Sequence, residues 1–136
     1  MSVPKYHLDG IFDPGRAHPD DAHSILMRLI PRGSHVLEPG CASGYLSGYM
    51  EQALSCRVTG LEADPAAAQI AAQRCSEVHT VDLDAPQALD VARASGPVDW
   101  APRDSSNYMA CADFSLAADE GGGNRVGVFD ATQLTR

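Results

Sequence analysis

The sequence predicts an α/β fold, a doubly wound and mostly parallel sheet, from three observations. Short apolar runs alternate with segments of helical period; the first run leads into a glycine-rich turn; and acidic residues end the next two runs. In such a chain each crossover helix returns the backbone to the same end of the sheet, and the right-handed rule for crossovers leaves few topologies. At 136 residues, a single domain over 1–136 is expected, with an arm at 1–19 and a divergent stretch at 97–136.

Each element has its own signal. Residues 1–19, rich in Pro, Gly, His and Asp, read as an arm over the surface and a candidate lid. From Asp20 onward Ala22, Ile25, Leu26, Leu29 and Ile30 recur at helical spacing, with Asp20 or Asp21 as the cap and Pro31 with Gly33 as the stop. His35–Glu38 is the first strand, and Leu46, Tyr49, Met50, Ala53 and Leu54 mark the helix beyond the turn. Arg57–Leu61 is the second strand. Asp64-Pro65 starts a helix over 66–74, because Asp accepts from unpaired amides while Pro has no amide hydrogen to leave unpaired.

Val78–Val81 is read as the third strand and Pro86–Ala94 as the third crossover helix, ended by Gly96-Pro97. Two segments compete for the fourth strand, Val98–Trp100 and Tyr108–Ala112. The second is preferred for its length and because Pro102 follows the first. Arg125–Phe129, entered through Gly121–Gly123, is the final strand.

Charge and cysteine usage narrow the function classes. A formal net charge of -8 repels phosphate backbones and anionic lipid headgroups, which argues against nucleic acid and membrane partners. No apolar run approaches the roughly 20 residues that span a bilayer, and the start of the chain lacks a signal-peptide core, so a cytoplasmic location is expected. Cys41, Cys56, Cys75 and Cys111 stand singly, with no close pair to clamp zinc, and read as small buried hydrophobes; no metal is expected.

Chemistry gathers where a doubly wound sheet binds ligands, outside the carboxyl ends of its strands. Glu38 leads into the turn Pro39–Gly44, in which Gly40 and Gly44 let the backbone approach a ligand and the following helix presents amide hydrogens. Glu62 ends the second strand 18 residues beyond Gly44, where an acid can accept both hydroxyls of a ribose. Asp82, past the third strand, can accept from the exocyclic amine of an adenine, with Leu83 beside the base. Asp84 reads instead as a helix cap. A Glu62→Ala change is expected to cost cofactor affinity and leave the fold intact. Tyr6, His7, His18 and His23 are candidates to orient an acceptor or take its proton, or are plain surface and helix-face residues.

The run Val36–Ser47 resembles motif I of class I S-adenosylmethionine-dependent methyltransferases. Thr59–Ala68 is similar to that family's ribose-binding stretch, and Val81–Asp84 to its adenine-binding stretch. The resemblance covers roughly residues 18–90 and implies a Rossmann-like, shortened methyltransferase fold that uses S-adenosylmethionine and releases S-adenosylhomocysteine. It implies a contact set of Glu38, Gly40, Cys41, Ala42, Gly44, Tyr45, Glu62, Ala63, Asp82 and Leu83. Ala42 stands where many members have glycine, a change expected to be tolerated because only a methyl is added. The acceptor region departs further, offering only Val98–Trp100 and Ala112–Leu116 for the family's later segments.

Three functions follow from the residues. One is methyl transfer to a small-molecule acceptor; the second is a non-catalytic relative that binds the cofactor or a partner protein. The third, a nicotinamide-dinucleotide oxidoreductase, explains the turn and Glu62 but neither Glu38 nor the spacing to Asp82. The family sheet has seven strands, so the shorter chain is expected either to be a minimal version or to cover its sheet edge with a partner, a homodimer being the simplest case.

Overall fold

A computed structural model describes residues 10–95, 98–103 and 127–130. The described elements run α1 (Ala22–Leu29), β1 (His35–Pro39), α2 (Tyr45–Ala53), β2 (Arg57–Glu62), α3 (Pro65–Ala71), β3 (Glu77–Thr80), α4 (Gln87–Ala94), β4 (Trp100–Arg103) and β5 (Gly127–Asp130). The strands form one parallel sheet in the order β3-β2-β1-β4-β5. This is the doubly wound α/β architecture expected from the alternation. The chain steps outward from β1 through β2 to β3, then returns to the other side of β1, so the switch point lies between β1 and β4.

That reversal divides the core into two faces. Val36 and Val58 meet Leu26, Met27 and Ile30 near α1 and Leu46 and Met50 of α2 on one side, with Phe12 from the arm. Leu37 and Leu61, one or three residues further along their strands, face Ala92 of α4 and Val98 on the other. Crossovers that step in one direction leave their helices on one face, and the reversed step places α4 opposite. β1 is buried along its length except at His35, as a central parallel strand covered on both faces must be.

Local chemistry sets the boundaries. Asp21 caps α1 by accepting from the Ser24 amide at 2.8 Å, and Gly33, at φ 77°, turns the chain after Pro31. Asp64 caps α3 through the Ala66 amide at 3.0 Å, with Pro65 behind it. β3 begins and ends one residue before the predicted segment. Asp84 is not the cap of α4, whose N-terminal flank is Pro86.

The fourth strand departs from expectation. It lies at Trp100–Arg103, continuing Val98–Trp100, the less favoured of the two segments, while Tyr108–Ala112 falls outside the described residues. The Asp99 amide donates to the His35 carbonyl at 2.8 Å, and the His35 amide donates to Asp99 Oδ2 at 2.9 Å. This reciprocal pair docks the chain beside the start of β1 and puts Val36 opposite Trp100. Pro102 does not prevent pairing there, although it has no amide to donate. β5 is described over Gly127–Asp130, one residue beyond the expected end, while Arg125 and Val126 of the expected segment lie outside the described residues. No described helix is long and apolar enough to cross a membrane.

Candidate functional site

The candidate site grows from the way β1 ends. After Pro39 the backbone takes positive φ at Gly40 (67°), Ala42 (52°) and Gly44 (80°), so the turn alternates in and out of the left-handed region. Its amides fold back on β2. Those of Gly40 and Cys41 donate to the Leu61 carbonyl at 2.7 and 3.1 Å, and that of Ala42 donates to Glu62 Oε2 at 2.7 Å. Arg74 Nη1 holds the far side of the turn through the Ser43 carbonyl at 2.9 Å. At Gly44 a side chain would need a left-handed backbone and would press within 3.2 Å of the Ala71 Cα, so glycine is required twice over. Helix α2 then opens at Gly44 with no side-chain cap.

The three acids lie on adjacent strands at one rim. Glu38 pairs in register with Gly60, and Glu62 with Thr80, so Glu62 and Asp82 each lie two residues past the partner of the preceding acid. Their environments differ. Glu38 is 7% exposed and accepts from the hydroxyl of Ser47, which is fully buried on α2. Glu62 is half-buried, with Oε2 on the Ala42 amide and Oε1 on the Asp64 amide at 2.9 Å. Asp82 is exposed and takes the Asp84 amide on Oδ1 at 3.0 Å, forming the turn after β3.

These bonds amend two expectations. Glu62 is not a free strand-end acid whose removal leaves the fold untouched, since both its oxygens hold backbone that forms the site. Ala42 adds more than a methyl: its backbone is left-handed, where a Cβ crowds the following carbonyl at about 1–2 kcal/mol.

The remaining predicted residues spread out. Cys41 is buried over Gly60, and Ala63 is exposed just beyond β2. Leu83 packs against the Leu37 and Leu61 cluster. The Tyr45 ring stands edge-on to Phe12 with centroids 6.0 Å apart, and 6.0 Å from the His23 ring, so it helps fix the arm to α2. His23 shares this cluster, edge-on to Phe12 at 6.3 Å. His18 accepts from the Asp20 amide through Nδ1 in an exposed turn. Tyr6 and His7 lie outside the described residues. Ser47, Arg74 and Cys75 were not foreseen. A serine on the buried face of α2 was the one available hint for Ser47, and sequence spacing holds none for Arg74 or Cys75.

Comparison with known proteins sets this arrangement in a family. The family model described as methionine biosynthesis protein MetW matches residues 20–93 of the 136. No curated protein matches. Among solved structures, a TehB-like S-adenosylmethionine-dependent methyltransferase from Corynebacterium glutamicum is 22% identical with a TM-score of 0.54, over 84% of this chain and 70% of that one. The magnesium protoporphyrin IX methyltransferase ChlM from Synechocystis, with S-adenosylmethionine bound, is 22% identical with a TM-score of 0.51, over 72% of this chain and 51% of that one. An alcohol dehydrogenase zinc-binding domain protein from Burkholderia ambifaria also superposes, with 16% identity and a TM-score of 0.54 over 79% of this chain and 30% of that one. The chain thus spans about half of ChlM and under a third of the dehydrogenase, and the sheet alone does not select a cofactor. Matched by the family model over more than half its length, the chain belongs to the MetW family and has the class I S-adenosylmethionine-dependent methyltransferase fold.

Proposed function

We propose that the chain binds S-adenosylmethionine along the rim formed by the ends of β1, β2 and β3, and moves its methyl group to a small-molecule acceptor. The observation that carries this reading is the anchored turn, whose amides are drawn onto Leu61 and Glu62 while α2 begins without a side-chain cap beside it. A helix start of this kind offers amide hydrogens to polar ligand atoms.

The residues present fit that ligand. Glu62 spends one lone pair of each oxygen on a backbone amide, and a carboxylate has about four acceptor positions, so its rim-facing side can still accept ribose hydroxyls. Asp82, exposed beyond β3, would accept from the adenine amine, with Leu83 on the apolar side. Glu38, held under the turn by Ser47, would set the turn and the methionine end. Gly40, Cys41, Ala42 and Gly44 would line the ligand through their backbone, with Tyr45 and Ala63 at its borders. The cofactor, when bound, supplies an electrophilic methyl on sulfur, and the chain's part is to align donor and acceptor.

The departure of the acceptor region from the family's pattern supports a second reading: binding of the cofactor, or of a partner protein, without turnover. Calorimetry with S-adenosylmethionine, S-adenosylhomocysteine and NAD, followed by an acceptor panel, tests all of these. Binding of the two sulfur nucleosides with methyl transfer supports the proposal. Binding with no transfer to any acceptor supports the second reading, and binding of NAD alone sinks both.

A further inference from the structure

The two cysteines nearest the turn are brought together by the fold. A side-chain carbon built on Gly60 would lie 2.6 Å from Cys41 Sγ and 3.5 Å from Cys75 Sγ, so both sulfurs crowd the space that this glycine leaves open on β2. Both thiols are free. The segments that carry them are already in contact: the Arg74 guanidinium reaches the Ser43 carbonyl, and Gly44 sits against the Ala71 backbone and the Arg74 side chain. Cys56 is elsewhere, directed at the carbonyls of Pro31 and Leu54.

We infer that Cys41 and Cys75 form an oxidisable pair, closed by hydrogen peroxide into a disulfide that ties the glycine turn to the end of α3. The two sulfurs have different roles. Cys75 is half-buried, and a hydrogen bond from Cys41 holds its pKa down, helped by Ser47 and by the charge of Arg74. Cys41 is 3% exposed; the bond to Cys75, burial and the Glu38 carboxylate push its pKa up. Cys75, the more exposed of the two and the one that gives up its proton more readily, is therefore the sulfur that a small oxidant meets first.

Its sulfur attacks one peroxide oxygen, the O–O bond breaks, and the departing hydroxide takes up the proton given up by the Cys75 thiol and leaves as water, with a sulfenic acid formed on Cys75. The Cys41 sulfur then attacks the Cys75 sulfur, the S–O bond breaks, and the Cys41 proton departs with the hydroxyl as water. Two thiols are oxidised by two electrons and one peroxide is reduced to two waters. Bond formation shortens the sulfur separation to about 2.05 Å and draws the turn toward α3. The consequence for ligand binding rests on the cofactor reading above.

The test is peptide mapping of the whole chain after peroxide treatment, without reduction. Expected is a single cross-linked peptide joining Cys41 to Cys75 and a chain lighter by about 2 Da, for the two hydrogens lost. Cys56→Ser should give the same peptide, and Cys75→Ser should give none. Recovery of Cys41 as a free, alkylatable thiol while Cys75 advances to sulfinic acid would overturn the inference, as would a bridge through Cys56 or Cys111. In the bridged chain, S-adenosylhomocysteine should bind about tenfold more weakly, a modest coupling between sites, and dithiothreitol should restore it. Unchanged affinity in a chain whose bridge is mapped would overturn the coupling to the turn. Failure of the reduced chain to bind the nucleoside at all would count against the cofactor reading instead, and the cross-linked peptide would still decide the bridge.

Discussion

Replacing Glu62 by Ala removes the acceptor of two backbone amides at once, those of Ala42 and Asp64 at 2.7 and 2.9 Å. A hydrogen bond to a charged group contributes about 1.5–3 kcal/mol. Because Glu62 is half-buried, water can take over part of each, and the combined loss is about 2 kcal/mol. Unfolding entropy near 2.1 cal/mol/K per residue gives roughly 0.3 kcal/mol per degree for 136 residues, so the melting temperature should fall by about 7 °C. Glu62→Gln should fall about half as far, since it keeps one acceptor oxygen but turns an amide donor toward another donor. Differential scanning calorimetry of the three proteins measures this, with S-adenosylhomocysteine titrations at low temperature following the binding role separately. A Glu62→Ala protein melting within about 1 °C of wild type would show that the turn does not depend on this carboxylate.

Two further changes probe the same architecture. Ala42→Gly should stabilise the chain by about 0.5–1 kcal/mol, the left-handed cost relieved less the extra freedom of an unfolded glycine, and an unchanged or lower urea midpoint would contradict it. The pKa of Asp21 is held below its ordinary value of 3.8, chiefly by the Ser24 amide. A lowered folded pKa means the charged cap stabilises α1 above that ordinary value and loses its contribution as pH falls through the lower folded one. Acid titration of Asp21→Asn should therefore show a smaller loss of stability below about pH 4 than wild type, and parallel profiles would refute the assignment.

What the sequence by itself determined was local. Apolar periodicity located every described helix and β1 to β3 within a few residues, because burial of one face shows in the spacing of neighbours. The Asp21 cap, the Asp64-Pro65 start and the turn after β1 are likewise short-range signals. They are enough to place Glu38 and Glu62 at the ends of the first two strands and Asp82 just past the third.

The tertiary structure decided what depends on residues far apart in the chain. β4 sits at 100–103 because the amide and carboxylate of Asp99 bond the backbone of His35, a partner 64 positions away that no local pattern announces. Arg74 on Ser43 and Cys75 beside Cys41 exist only once the crossovers bring β1, β2 and α3 together. The left-handed backbone at Ala42 has the same origin, since pinning its amide to Glu62 fixes a dihedral that the residue's identity disfavours. Periodicity records which side of an element is buried. Which particular atoms meet there is set by the winding of the sheet.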